Sequence, residues 1–165
     1  MRFAFFPGLL ALALSAAAMD VPYTVHLRAD GQDSADGRTP ATAVRTLGRA
    51  QALIARDVPD HGRDVVVSVA EGNYTGQTVV WNYVSPGHTV TIKAAGARKP
   101  IFRGDPAVGG TWLLLQSTAG QPSHLHVVNI VIDTYDCAFS IEGDRESLGS
   151  FNSDNRITGC DLHRI

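Results

Sequence analysis

The feature that most constrains this chain is one segment with helical periodicity, followed by a long region of short apolar strands. Thr46 is a suitable N-cap residue, and the Val58-Pro59 pair ends the helix because proline disfavours a helical residue before it. Four apolar residues recur at the spacing of a single helix face: Leu47, Ala50, Leu53 and Ile54. The sequence therefore predicts one amphipathic helix, packed as a cap on the first layer of a strand structure.

The rest of the chain has the period-two pattern and turn residues of β-strands. Segments such as 65–67 and 127–132 are too apolar for a sheet with one wet face, which favours buried parallel strands. The predicted strands cover residues 23–27, 65–69, 78–81, 89–93, 100–103, 112–116, 125–132, 138–141 and 156–162.

A weak internal repeat supports stacking of these strands. A shift of 30 residues (157 − 127) keeps the inward and outward positions of two segments aligned. It places Val127 against Ile157, Ile130 against Cys160 and Ile132 against Leu162. The pattern by itself fits a solenoid and a β-sandwich equally well.

The first 18 residues have the pattern of a signal peptide. Arg2 gives a short positive region, residues 3–14 an apolar core, and Ala16-Ala17-Ala18 a small-residue cleavage site. The apolar run is shorter than the ~20 residues that a spanning helix needs. We therefore expect residues 19–165 to be secreted or periplasmic, with no membrane segment in the mature chain.

The charge balance narrows the range of partners. The chain has 14 basic and 16 acidic residues, without a block of like charge. A nucleic-acid-binding surface requires a basic patch, so we expect no nucleic-acid partner.

Two sets of residues leave alternatives open. Asp30, Asp33 and Asp36 form either a calcium site or a structural loop, since their spacing is not that of an EF-hand. Cys137 and Cys160 form either a disulfide, which an exported chain permits, or two small buried thiols.

Other candidate ligands are weaker. His124 and His126 share one strand face, but zinc needs a third ligand that the sequence does not supply. Four acidic residues are candidates for the lining of an outer cation or sugar groove, or are simply solvated: Asp133, Asp136, Glu142 and Asp144.

Several motifs give a family resemblance. The segment 36–43, DGRTPATA, followed by residues 45–47, resembles the opening of secreted right-handed parallel β-helix proteins, in which a short helix caps the first coil. EGNY at 71–74, IKA at 92–94 and IFRG at 101–104 are similar to the first coils of that group. NRITGCDL at 155–162 is similar to an asparagine-rich coil motif found there, including in lyases of the pectate lyase-like, alginate lyase and chondroitinase B type.

The resemblance implies an all-β, right-handed parallel β-helix with one N-terminal capping α-helix, and polysaccharide as the partner. It also implies β-elimination of acidic glycans, a reaction that requires neutralisation of the sugar carboxylate, a base and an acid. Neither Lys93 nor Arg156 matches a catalytic position, so the catalytic residues remain unknown and enzyme activity stays open. Asn155 lies at a corner, where it either joins a ladder of side-chain amides or simply forms a turn.

The last predicted strand runs up to the C-terminus without a closing helix. Solenoid ends normally carry a cap, so we expect a longer parent protein of which this chain is the N-terminal cap and first coils, monomeric if complete. The expected function is binding or cleavage of polysaccharide. A non-catalytic adhesin or envelope structural protein is the alternative.

Overall fold

The computed structural model describes residues 21–116, 123–142 and 154–165. One α-helix, α1 (Leu47–Asp57), and a 3-10 turn (Pro40–Thr42) follow the first strand of these residues. The strands are β1 (Tyr23–Leu27), β2 (Val65–Val69), β3 (Asn73–Thr75), β4 (Val79–Trp81), β5 (Val90–Ala94), β6 (Ile101–Arg103), β7 (Thr111–Gln116), β8 (Leu125–Val128), β9 (Val131–Asp133), β10 (Cys137–Glu142), β11 (Arg156–Thr158) and β12 (Asp161–His163).

These strands form three parallel sheets. Their orders are β1-β2-β5-β8-β11, β3-β6-β9-β12 and β4-β7-β10. From β2 onward, each strand lies in a different sheet from the strand before it, and every third strand returns to the same sheet. The architecture is mostly β with one helix, and it is compatible with an all-β parallel solenoid. An antiparallel sandwich is wrong for the described residues, because the strand pairings in all three sheets are parallel.

The core consists of aliphatic rows that run across the sheets. In the first sheet, Val25, Val67, Ile92 and Val127 occupy successive register positions and are all buried. These residues are buried because every second side chain along a strand points inward. Full burial of such a side chain contributes about 1.5–3 kcal/mol, so these rows are the main stabilising feature.

Aromatic residues fill the core between the second and third sheets. Tyr74 stacks on Phe102 with ring centroids 4.7 Å apart, and Phe102 contacts Trp112 at 5.0 Å. Trp112 meets Phe139 edge to face at 5.3 Å. The buried Tyr74 hydroxyl donates a hydrogen bond to the carbonyl oxygen of Ala70 at 2.9 Å, which satisfies its polar atom inside the core.

The predicted helix is confirmed with its boundaries. The Thr46 hydroxyl accepts a hydrogen bond from the Arg49 N–H at 3.1 Å, as expected of an N-cap residue. The helix ends at Asp57, ahead of Val58 and Pro59. Its predicted apolar face is buried and packs against β1 and β4: Leu47, Ala50, Leu53 and Ile54.

Two predicted strands are wrong in extent. Residues 125–132 and 156–162 each form two strands, because the chain turns between sheets at Asn129 (φ 57°) and Gly159 (φ 64°). Gly159 is required there, since a Cβ would lie 2.2 Å from Oδ1 of Asn129. The 30-residue shift is nevertheless confirmed at Val127 with Ile157 and at Ile132 with Leu162. Strand β3 was not predicted.

The sequence-based signal peptide, residues 1–18, lies outside the described residues. Within the described ranges, α1 is too short to cross a bilayer, and no other helix there is long and apolar enough to do so.

Candidate functional site

The outward face of the second sheet carries a row of polar residues in register. Thr75 pairs with Arg103, Arg103 with Asp133, and Asp133 with His163, on four neighbouring strands. Arg164 follows β12 directly. We call these five residues the arginine face. Because neighbouring strands lie about 4.8 Å apart, parallel pairing in register brings residues from distant parts of the sequence together.

Asp133 lies between two arginines. The Nε atom of Arg103 donates to Oδ2 of Asp133 at 3.0 Å, and Nε of Arg164 donates to Oδ1 at 2.8 Å. A second nitrogen of Arg164, Nη2, also donates to Oδ2, and the Thr134 hydroxyl donates to Oδ1 at 3.0 Å. The Asp133 side chain is only 6% exposed, and its buried carboxylate is fully paired, as buried charged groups require.

The two arginines remain accessible to solvent. The Arg103 side chain is 47% exposed and that of Arg164 is 68% exposed. Two guanidinium groups around one carboxylate leave a local excess of one positive charge. Since the carboxylate holds one edge of each guanidinium, the remaining N–H groups are oriented before any ligand arrives.

The electrostatics of the cluster follow from these contacts. The hydrogen bond from Arg164 is the main reason that the pKa of Asp133 is lowered to about 2, with smaller contributions from Thr134 and Arg103. Asp133 is therefore ionised at neutral pH, and the cluster keeps its arrangement of two cations and one anion.

A shallow depression opens beside the cluster. It is lined by Arg103, Gly104, Pro106, Thr134 and Arg164. Gly104 is required in its floor because a Cβ would lie only 2.1 Å from the Thr134 carbonyl oxygen. Its backbone N–H donates to the Asp133 carbonyl oxygen at 2.9 Å, so the depression has a fixed base.

Further charged groups lie along the same sheet. Lys99 Nζ lies 2.8 Å from Oδ2 of Asp161, at the start of β12. Arg98 lies 3.6 Å from Glu71, and residues 98 and 99 line a second shallow depression with Asn73. The sheet therefore presents cations at both ends of its short strands, an arrangement suited to a ligand with several anionic groups.

The structure does not bring Asp30, Asp33 and Asp36 together as metal ligands. Asp30 pairs with Arg28 at 2.7 Å, Asp33 accepts the backbone N–H of residue 45 at 2.8 Å, and Asp36 accepts the N–H of residue 38 at 3.0 Å. Within the described ranges, no group of three or more His, Cys, Asp or Glu residues is arranged to hold a metal ion. The structural-loop interpretation accounts for these contacts.

The two histidines also have other neighbours. Nδ1 of His124 lies 2.8 Å from Oδ2 of Asp154, and His124 precedes β8 rather than lying on it. His126 is on β8, in register with Arg156. The pair therefore does not share a strand face in the way that the sequence suggested.

The three acidic groove candidates that lie in the described part of the chain do not form one groove. Asp133 is buried between arginines on the second sheet, whereas Glu142 lies at the end of β10 on the third sheet and pairs with Gln116 at 3.2 Å. Asp136 accepts the Gly110 N–H at 2.8 Å. Asp144 lies outside the described residues.

Cys137 and Cys160 are free thiols, so the disulfide alternative is not formed. The Cys137 Sγ donates to the Phe139 carbonyl oxygen at 3.1 Å, and the Cys160 Sγ donates to that of Val127 at 3.6 Å. Burial raises the pKa of the Cys160 thiol, which makes it a poor nucleophile. Both are best described as partly buried packing residues.

Lys93 and Arg156, which were not assigned a catalytic role, lie on the first sheet, away from the arginine face.

Sequence reasoning missed Arg103 and Arg164 as site residues. One signal was available for the first of them. The 30-residue shift, applied to Asp133, gives Arg103 in one direction and His163 in the other, as the strand register confirms.

Comparison with known proteins found no matching family model, no matching curated protein and no matching solved structure. The geometry of the site is therefore the basis for assigning a function to this chain.

Proposed function

We propose that this chain belongs to an exported right-handed parallel β-helix protein that binds acidic polysaccharide on its arginine face. The single observation that carries the proposal is the pair Arg103 and Arg164, fixed by one buried carboxylate and open to solvent. Bidentate pairing with a guanidinium group suits a planar carboxylate or a sulfate ester.

Separate observations support the assignment of the chain to a capped parallel β-helix. The strands occupy the three sheets in a repeating order, and the helix packs against the first strands of two of these sheets. Such an arrangement is typical of a capped β-solenoid, in which each coil contributes one strand to each sheet. Export is supported by the sequence pattern of residues 1–18.

β-Elimination of the bound acidic glycan is the chemistry we propose. The arginine face supplies one requirement of that reaction, a cation that neutralises the sugar carboxylate. The base and the acid are not assigned to described residues. A non-catalytic adhesin is the second candidate, favoured by the pairing of both arginines with a structural carboxylate rather than with a general base.

Binding is tested with the full chain by isothermal titration calorimetry. Oligogalacturonate, alginate oligosaccharides and chondroitin sulfate are the acidic ligands, and neutral glucan oligosaccharides of matched length are the controls. We expect binding of at least one acidic ligand and a fall in affinity as salt is raised, since exposed charges are screened. Equal affinity for acidic and neutral ligands would contradict the proposal.

The variants Arg103→Gln and Arg164→Gln test the site itself. Each substitution removes a charge-assisted contact, worth about 1.5–3 kcal/mol, so affinity should fall by about tenfold or more. Arg45→Gln is the matched control, because Arg45 is exposed and lies next to the helix cap, away from the arginine face. Appearance of unsaturated sugar products in the same mixtures would separate a lyase from an adhesin.

A further inference from the structure

The polar row on the second sheet includes an exposed histidine. His163 on β12 is in register with Asp133 on β9, which is in register with Arg103 on β6. Phe102 and Ile132, which precede the other two residues of this row, are buried, so the row itself faces outward. Side chains on this face stand roughly perpendicular to the sheet, so strand pairing along the sheet edge does not cover them.

Asp133 is one strand away from His163 but is not available to pair with it. Oδ1 of Asp133 accepts from Nε of Arg164 at 2.8 Å and from the Thr134 hydroxyl at 3.0 Å. Oδ2 accepts from Nε of Arg103 at 3.0 Å and from Nη2 of Arg164. These four donors fill the acceptor positions of one carboxylate. Within the described part of the chain, the His163 side chain has no hydrogen-bond or ion-pair partner.

The other charged groups on this face of the sheet are balanced in the same way. Asp161 lies two residues earlier on β12, on the same face, and pairs with Lys99 at 2.8 Å. The two arginines share the single carboxylate already described. Two arginines and one lysine against two aspartates leave an excess of one positive charge. A proton on the His163 imidazole therefore adds a second positive charge that these carboxylates do not neutralise.

We propose that His163 is a third ligand-binding group of the arginine face, and that it binds an anionic group of the polysaccharide in its protonated form. The inference rests on the proposed binding of acidic polysaccharide and adds a pH dependence to that site. In the free protein, the two arginines oppose a third positive charge, whereas a bound carboxylate or sulfate ester favours it. Binding and proton uptake are therefore coupled, and acidification strengthens binding.

Isothermal titration calorimetry of the full chain at about pH 5.5 and about pH 8 tests this coupling, because histidine changes its charge between these values. Chondroitin sulfate and alginate oligosaccharides are the ligands, since carboxyl groups with ordinary pKa values of about 4 stay ionised over this range. We expect affinity to be about three- to tenfold higher at the lower pH, the effect of two unit charges about 4–6 Å apart near water.

The proton is counted in a second titration series. Calorimetry at about pH 6.5, where histidine titrates, is repeated in two buffers that differ in ionisation enthalpy. The difference between the observed heats gives the number of protons taken up for each ligand bound. We expect net proton uptake by the wild type and none by His163→Gln.

Two variants of His163 separate its charge from its shape. His163→Gln removes the titrating charge, so its affinity at about pH 5.5 should fall to the value at about pH 8. His163→Lys carries a charge at both pH values, so it should bind tightly at both, without proton uptake. His88→Gln is the matched control and should keep the wild-type pH dependence, because His88 lies before β5, 3.6 Å from Asp64 and away from the arginine face.

Failure of this inference can be told apart from failure of the proposed function. Absence of binding at both pH values overturns both. Equal affinity at the two pH values, or a pH dependence that His163→Gln retains, overturns the role of His163 and leaves the acidic-polysaccharide site standing. A His163→Gln variant that binds like the wild type but no longer releases unsaturated sugar products would make the neutral imidazole a base, and would also overturn the inference.

Discussion

The hydroxyl of Thr46 donates a hydrogen bond to Oδ2 of Asp33 at 2.8 Å, while Oδ1 of Asp33 accepts the backbone N–H groups of Arg45 and Thr46 at 2.8 and 3.0 Å. Thr46 in turn caps α1 through its contact with Arg49. Asp33 therefore connects the acidic loop to the start of the helix. The carboxylate whose spacing suggested a calcium ligand instead holds the helix cap in position.

Replacement of this carboxylate should loosen the cap. We expect Asp33→Ala to lower the free energy of unfolding by about 1–2 kcal/mol, since it leaves two backbone N–H groups and the N-cap hydroxyl without their acceptor. Urea unfolding measures the change. Asp30→Ala is the control and should cost no more than about 0.5 kcal/mol, because Asp30 forms an exposed ion pair with Arg28. Calcium-dependent stabilisation of the wild type that Asp33→Ala abolishes would contradict this role.

The apolar face of α1 is the second target. Leu53 is fully buried, so Leu53→Asp should lower the free energy of unfolding by about 4 kcal/mol or more, through lost packing and an unpaired charge. Ala55 lies on the exposed side of the same helix, and Ala55→Asp should cost only about 0.7 kcal/mol, the difference in helix propensity. Similar costs for the two variants, measured by urea unfolding, would show that the helix is not a core element.

The success of the helix prediction has a local cause. The N-cap, the apolar stripe and the proline that follows Val58 all lie within 14 consecutive positions, 46–59, and each acts through near neighbours. Strand positions were likewise visible in the alternation of valines. The parallel register between residues 127 and 157 was predictable because one repeat shift aligned three apolar positions.

The corners of the sheets and the contact of Arg164 with Asp133 were not predictable in this way. Asn129 turns the chain through a left-handed conformation, which a continuous apolar pattern hides. Arg164 follows Thr134 by the same 30 residues, and both adopt a left-handed conformation, but the arginine contacts Asp133 of the preceding layer only because the backbone turns there after β12. Such contacts arise from backbone geometry rather than from residue type, so a pattern search does not find them.

The acid stability of the protein should depend on Asp133. Its pKa is about 2 in the folded chain, lowered mainly by the hydrogen bond from Arg164, against an ordinary value near 4 in the unfolded chain. The unfolded state binds the proton first as pH falls. The stabilising contribution of ionised Asp133 is therefore complete above about pH 4 and is lost as the pH falls through about 2. We expect the melting temperature to fall between neutral pH and about pH 2 as this contribution is lost.

The control for this pH dependence is the variant Asp133→Asn. Its melting temperature should change less over the acidic range than that of the wild type, because the substituted residue does not titrate. Asp57→Asn is a second reference, since hydrogen bonds from Arg56 and Tyr23 lower the pKa of Asp57 to about 2 at the end of α1. An Asp133→Asn profile parallel to the wild-type profile would show that the arginine cluster does not contribute to acid stability.

Asn155 provides a test of how neighbouring layers are held together. Its side-chain oxygen accepts hydrogen bonds from the Ser123 hydroxyl at 2.8 Å and from the Leu125 N–H at 3.0 Å. The contact joins the segment before β11 to the segment before β8, and it pairs the amide with a hydroxyl and a backbone N–H rather than with another side-chain amide. Asn155→Ala leaves a buried hydroxyl and a backbone N–H unpaired, which should cost about 2 kcal/mol in the free energy of unfolding. Asn155→Asp keeps the acceptor oxygen and should cost clearly less.

Urea unfolding gives the free-energy cost of both variants, and hydrogen exchange at the Leu125 amide should accelerate only in the alanine variant. Equal acceleration in the two variants would mean that the oxygen of residue 155 is not the acceptor that protects Leu125.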